Sequence, residues 1–174
     1  MCKKIFSLAL LVGIIFAIMG CSEISEPLEF SPTFTHNYDG RQVGLGMHRD
    51  ETGAILGFPI GVGNTVGDML REGSLFISYD ENDIVWSMIL MASNIWSVAG
   101  ISGGDYIQSV KDSLTFSEID YNLESINDDP EFSVTMLSFY YDGYMYAFNY
   151  SDNTGIITMI GIFTEAAYLE LVRL

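Results

Sequence analysis

The chain repeats itself, and the repeat limits its possible folds more than any single motif does. Gly44-Leu45-Gly46-Met47-His48-Arg49-Asp50-Glu51 leads into Ala54-Ile55-Leu56-Gly57-Phe58-Pro59. At an offset of 58 residues, Ser102-Gly103-Gly104-Asp105-Tyr106-Ile107-Gln108-Ser109 leads into Val110-Lys111-Asp112-Ser113-Leu114. In each copy a glycine-containing turn precedes a polar helix start and a short helix that closes on Leu. A fixed internal spacing points to one supersecondary unit used twice, each copy too small to bury its apolar face alone. Asp105 with Gln108 forms a candidate capping pair for the second helix, while Gly57 and Pro59 are stop signals for the first. Thr65 with Asp68 marks a second short helix ending near Gly73, with Ser117 to Asn122 as its counterpart.

An antiparallel hairpin follows each helical part. Ser74 to Tyr79 and Ile84 to Met91 flank the acidic turn Asp80-Glu81-Asn82-Asp83. In the second copy, Phe132 to Tyr141 and Tyr144 to Tyr150 flank Asp142-Gly143, a strong two-residue hairpin signal. Asp152 to Gly155 then turns the chain into a strand over Ile156 to Phe163, so Tyr79–Ile84 and Tyr150–Gly155 hold matching places in the two units. An acidic insertion, Glu124 to Glu131, lengthens the second copy. Thr164 caps a last amphipathic helix whose Tyr168, Leu169 and Val172 are expected to face inward.

The first 21 residues have the form of an export signal. Lys3 and Lys4 precede an uncharged run from Ile5 to Met19, shorter than the roughly 20 residues of a membrane-spanning helix. The run ends in Ile18-Met19-Gly20-Cys21, which resembles a lipobox. That resemblance implies cleavage after residue 20, lipidation of Cys21 and stable anchoring by its acyl chains. An uncleaved anchor and a plain secretory peptide cut elsewhere are the alternatives. Loss of both Lys would leave five basic side chains against 23 acidic ones. Ser22 to Gly40, polar and without a helical or strand period, reads as a flexible tether on which some of Phe30, Phe34 and Tyr38 dock. The expected organisation is signal 1–20, lipid-anchored tether 21–40, first repeat 41–99, and second repeat with C-terminal helix 100–174.

Gly46-Met47-His48-Arg49-Asp50-Glu51 and Leu56-Gly57-Phe58-Pro59 resemble the "G-M-[ST]-x-x-[DE]-V-x-x-x-L-G-x-P" signature of the β-lactamase-inhibitor-protein-like fold. The SmpA/OmlA lipoproteins share that fold. Thr52 stands in the usual Val position, and the second copy lacks the closing Gly-x-Pro. The resemblance covers Val43 to Phe163. It implies an α+β architecture of two tandem helix-plus-antiparallel-hairpin units forming one sheet. Helices would lie on one face and leave the other to a protein partner.

Several chemistries are excluded or weakened by residue types. A net charge of −16 repels a phosphate backbone, so nucleic acid is not an expected partner. Two Cys and two His leave no room for a zinc ribbon or a disulfide scaffold. Gly100-Ile101-Ser102-Gly103-Gly104 satisfies G-x-S-x-G, yet His36 and His48 both precede that Ser, the wrong order for an α/β-hydrolase. The glycines from Gly57 to Gly67 lack the Lys-Ser/Thr of a phosphate loop. Asp80-Glu81-Asn82-Asp83 and Asp128-Asp129-Pro130-Glu131 could offer oxygens to calcium, but the first lacks the Gly and Glu of an EF-hand loop and reads as a solvated hairpin end. Neither metal nor cofactor is expected. Nor is catalysis, since no carboxylate sits among apolar neighbours in a way that suggests a raised pKa; an envelope hydrolase survives as a third reading only through unplaced Asp and Glu.

The aromatic strand is the strongest candidate for function. Tyr144, Tyr146, Phe148 and Tyr150 alternate along one face, with Tyr140 across the turn and Trp86 in the first copy. These aromatics either pack beneath the helices or lie on an open face, where Tyr is well suited to partner contact. Ala147 and Asn149 would make a thin core, which favours the aromatics inward. The expected role is a non-catalytic, envelope-facing, lipid-anchored module of the cell membrane or outer membrane. It would bind an exported or envelope protein through Tyr140, Tyr144, Tyr146, Phe148, Tyr150 and Trp86. The alternative is a binder of a small ligand or wall polymer through the same aromatics.

Overall fold

A computed structural model describes residues 28–57, 68–69, 75–91, 93–127 and 132–173. The signal segment, Cys21, the start of the tether, the stretch 58–67 and the second acidic turn lie outside those residues. The fold is α+β. Its main element is a seven-stranded antiparallel sheet built from β3 (Asp68–Met69), β4 (Leu75–Tyr79), β5 (Val85–Met91), β7 (Asn122–Asn127), β8 (Val134–Tyr141), β9 (Tyr144–Ser151) and β10 (Ile157–Thr164). The order across it is β3-β4-β5-β10-β9-β8-β7. A smaller antiparallel sheet, in the order β2-β1-β6, combines β1 (Thr33–His36), β2 (Gln42–Gly44) and β6 (Trp96–Ser97). Three helices complete the described residues: α1 (Arg49–Leu56), α2 (Ile107–Phe116) and α3 (Glu165–Leu171).

Local chemistry accounts for most element ends. The His48 ring nitrogen accepts from the Asp50 N–H at 3.2 Å and opens α1. Gly57 closes it at φ 75°, with its N–H on the Gly53 carbonyl. Such a left-handed C-terminal position is the natural place for glycine. Thr164 caps α3 by accepting from the Ala167 N–H at 3.2 Å, as the sequence indicates. The expected Asp105–Gln108 pair does not form: Asp105 accepts from the Ser102 N–H, and Gln108 bonds Asp112 one turn on. Asp142 and Gly143 lie at φ 49° and 82°, the two left-handed positions of a type I′ hairpin turn. The helix expected from Thr65 is corrected at Asp68–Met69, which is a strand paired to β4. Likewise the acidic insertion begins as strand β7, paired to β8.

The two sequence copies share a hydrogen-bond pattern. In the first, Gly46 N–H donates to Val85, Val85 N–H to Met47 and Arg49 N–H to Asp83, at 2.9, 2.9 and 2.8 Å. In the second, Gly104 N–H donates to Ile157, Ile157 N–H to Asp105 and Ile107 N–H to Gly155, each at 2.9 Å. Both glycines adopt positive φ, 85° and 98°. In each case the residue before the helix forms a bridge to the turn between two strands, His48 to Ile84 and Tyr106 to Ile156. The strands that follow these turns, β5 and β10, pair with each other at the centre of the large sheet.

One continuous core lies between the large sheet and its cover. Leu75, Ile77, Met88, Leu90, Ile160 and Ile162 from the central strands meet Leu56 of α1 and Val110 and Leu114 of α2. The small sheet closes the same core with Phe34, Val43 and Trp96. Two expectations are corrected here. The segment before residue 41 is not a tether over its described length, because Phe30 and Phe34 are buried and Thr33–His36 is a strand. The helices also do not share one face. Ala167 of α3 packs with Met145, Ala147 and Phe163 on the opposite side of the sheet. Leu169 and Val172, expected inward, are exposed, because a seven-residue helix reaches the sheet only through its first turns.

Candidate functional site

The structure separates the six aromatic candidates into two groups. Tyr146 and Phe148 are fully buried, and Tyr150 nearly so. Phe139 of β8 stacks on Tyr146 with ring centroids 5.3 Å apart, and Phe30 stands edge-on to Phe139 at 4.9 Å. Phe30 also lies 5.4 Å from Tyr146 and 6.4 Å from Phe148. Tyr144 packs on the margin of the same cluster. At the far end, the Lys111 ammonium sits 4.7 Å over the Tyr150 ring and donates to its hydroxyl at 3.2 Å. The expectation of an open aromatic face at Tyr146, Phe148 and Tyr150 is therefore corrected. Phe30, from the stretch read as tether, and α2 cover it, and burial of these rings is what makes the core thick.

Tyr140 and Trp86 are placed differently. Both belong to the opposite face, where Tyr140 is 49% exposed and Trp86 packs partly buried beside Met145, Phe163 and Ala167. Tyr168 of α3 meets Tyr140 edge-on at 6.5 Å and Phe163 at 6.2 Å. Partial burial raises the Tyr140 hydroxyl pKa, and the nearby Glu165 carboxylate raises it further. An acidic side chain thus faces this surface from the helix end.

Strand register fills in the rest of that face. One row reads Ser87, Phe163, Met145, Tyr140 across β5, β10, β9 and β8, and α3 covers its middle. The next reads Ile89, Gly161, Ala147, Ser138. A third reads Met91, Met159, Asn149, Met136 and ends on Glu124 of β7. Met91 is 41% exposed, and Met159, Asn149 and Met136 are partly so. The Asn149 amide nitrogen leans on the Met159 sulfur at 3.8 Å, and its carbonyl oxygen has no hydrogen-bond partner among the described residues. Sequence reasoning missed the methionines. The available signal was β5, which is apolar on both faces.

Other candidate chemistry resolves into structure. Ala99 and Gly100 lie at φ 50° and 77° in a tight turn whose Val98 and Ile101 exchange both backbone hydrogen bonds. The G-x-S-x-G string begins in that turn, and buried Ser102 beyond it uses its hydroxyl to accept from Asn37 at 3.1 Å. His36 is buried in strand β1, not in a tether, with Nδ1 2.7 Å from Asp39 and its ring edge-on to Trp96. Burial pushes the Asp39 carboxyl up. The Arg41 backbone N–H, the Arg41 guanidinium at 2.8 Å and His36 together outweigh it and hold the pKa below the ordinary value. The Asp80 carboxylate accepts from the backbone N–H groups of Ile84 and Asn82, at 2.9 and 2.8 Å, which closes the first acidic turn on itself. Arg49 clamps Asp83 at 2.7 Å and lies over the Tyr79 ring. Among the described residues no three His, Cys, Asp or Glu side chains converge in metal-binding geometry. A cavity of about 330 Å³ lies between Leu28, the Ala99–Ile101 turn and the Asp105, Ser109 and Asp112 side of α2.

No family model matches the chain, and no curated protein matches it. Among solved structures, the chain is similar to an extracellular protein containing a SCP domain from Bacillus anthracis. The TM-score is 0.51 at 9% identity, over 72% of this chain and 45% of that one. At that identity the likeness concerns fold alone.

Proposed function

We propose that this chain is a cell-envelope lipoprotein, anchored through acylated Cys21, whose folded part is a non-catalytic protein-binding module. On this reading the fold is the tandem β-lactamase-inhibitor-protein-like arrangement, supported by the matched hydrogen bonds around Gly46 and Gly104 and by the central β5–β10 pairing. The observation that carries the binding role is the incompletely covered second sheet face, with Tyr140 half exposed on β8 and Trp86 partly buried on β5, on either side of the cluster under α3. Large apolar surfaces on small domains mark interaction sites. Here acidic groups at the margin would select a basic partner and speed its encounter. The partner class is an exported or envelope protein.

Two experiments test the two halves of the proposal. Labelling cells with a tagged fatty acid should mark the parent chain and leave Cys21→Ser unmarked; equal labelling would remove the lipid anchor. Crosslinking capture from the envelope fraction should retain one dominant protein with the parent and lose it with Tyr140→Ala. Capture of no protein at low or moderate salt would overturn the binding role. The cavity beside α2 favours a second reading, a small-ligand binder. Ligand-dependent hydrogen-exchange protection confined to residues 99–113 would support that reading instead.

A further inference from the structure

The methionine row on the second sheet face specifies what kind of partner segment fits there, and this inference rests on the protein-binding reading above. We infer that the row Met91–Met159–Asn149–Met136 docks a cationic amphipathic helix from a partner protein.

Three observations converge on that occupant. The first is shape. α3 already lies as a helix on this face, yet it has seven residues, and its cluster centres on Phe163, Met145 and Ala147 and reaches the methionine row at Met136. The methionine row runs two residues along β9 from Ala147, which among the described residues leaves a strip of sheet beside a helix, where a second helix can pack. The second is surface chemistry. Met side chains are flexible and polarizable and mould to varied apolar surfaces, so three in one register row make an adaptable contact. The third is charge. Between Lys111 and Arg173 the sequence contains no Lys or Arg but eleven Asp and Glu residues. Of these, Glu124 lies in β7 and Glu165 and Glu170 lie in α3. Glu124 ends the methionine row at β7, and Glu165 lies near Tyr140 in the row under α3. A helix with an apolar stripe and Lys or Arg on its flanks would bury the stripe on the methionines and pair its cations with this rim. The same charge opposes a second copy of this chain and an anionic bilayer as occupants.

The test uses the full chain with labelled Met methyls in phosphatidylcholine nanodiscs, with empty nanodiscs as the blank. The probe is an amphipathic Leu/Lys helix of about five turns, set against a scrambled peptide of identical composition. The amphipathic probe should shift the Met91, Met136 and Met159 methyl signals and bind at least about tenfold more tightly than the scrambled one. Met91→Lys and Glu124→Lys, both at exposed positions, should each weaken binding. If the two peptides bind equally, if the three methyls stay unmoved, or if nothing binds at low salt, the inference falls. An envelope protein still captured unchanged by Met91→Lys would separate that failure from failure of the binding role itself.

Discussion

At the residue scale, close approach and unmet polarity decide what each position tolerates. A Cβ placed on Gly161 would collide with the Phe163 ring, which lies across the glycine on the second sheet face. Gly161→Ala must therefore displace that ring and loosen the contact with α3. We expect a loss of about 1–3 kcal/mol in urea unfolding, the usual cost of overpacking. Tyr146 poses the opposite case. Its hydroxyl is buried with no hydrogen-bond partner among the described residues, and burial, with Tyr144 and Asp142 nearby, raises its pKa. Tyr146→Phe keeps the stacked ring and removes the orphan group, so stability should hold or rise by up to about 1 kcal/mol. Because the folded pKa is raised, the parent loses stability as pH climbs past the ordinary phenol value of 10.0, and Tyr146→Phe should flatten that alkaline limb in pH-dependent unfolding. Asp80 works in the other direction. Its pKa is lowered, chiefly by the Ile84 N–H and further by Asn82, so its contribution is present above the ordinary value of 3.8 and is lost as pH falls through the lower folded value. Asp80→Asn should make the acid limb of the same profile shallower; an unchanged limb would remove Asp80 from it.

At the element scale, turns follow sequence and covers do not. The Asp142–Gly143 hairpin, the Gly57 helix stop and the Thr164 cap are all legible, because each depends on one or two residues and their own backbone. Ala99 is the exception within a legible type of turn. It sits at φ 50°, where a side chain costs energy that glycine avoids, so Ala99→Gly should stabilise the chain by about 1 kcal/mol, measured by thermal or urea unfolding. The first strand could not be read this way. Thr33–His36 is short, and its reason to exist is tertiary: Phe34 fills the core while His36 meets Trp96. Phe34→Ala should cost about 3–5 kcal/mol, which a true tether residue would not. A loss below about 1 kcal/mol would return the segment to the role of tether.

At the scale of the whole molecule, the two halves meet along β5 and β10, with Leu90 opposite Ile160 and Met88 opposite Ile162 in one shared core. Neither half closes its core alone. Unfolding followed by tryptophan fluorescence and by far-ultraviolet circular dichroism should therefore give coincident midpoints, and two separated transitions would contradict the shared core. The chain by itself determined the hairpins, the helix stop at Gly57 and the acidity. These follow from periodicity, local backbone preference and counts of charge, all of which act within a few residues. Which face of β9 is covered was decided only by tertiary structure. Tyr144 to Tyr150 alternate identically whether their rings point to the core or to solvent, because the strand period places side chains on two faces without saying which is inside. Phe30, far away in sequence, settles it by capping Phe139 and Tyr146, and α3 then occupies part of the opposite face. Among the described residues the partly exposed methionine row is what remains once both covers are in place, and no local pattern encodes a remainder.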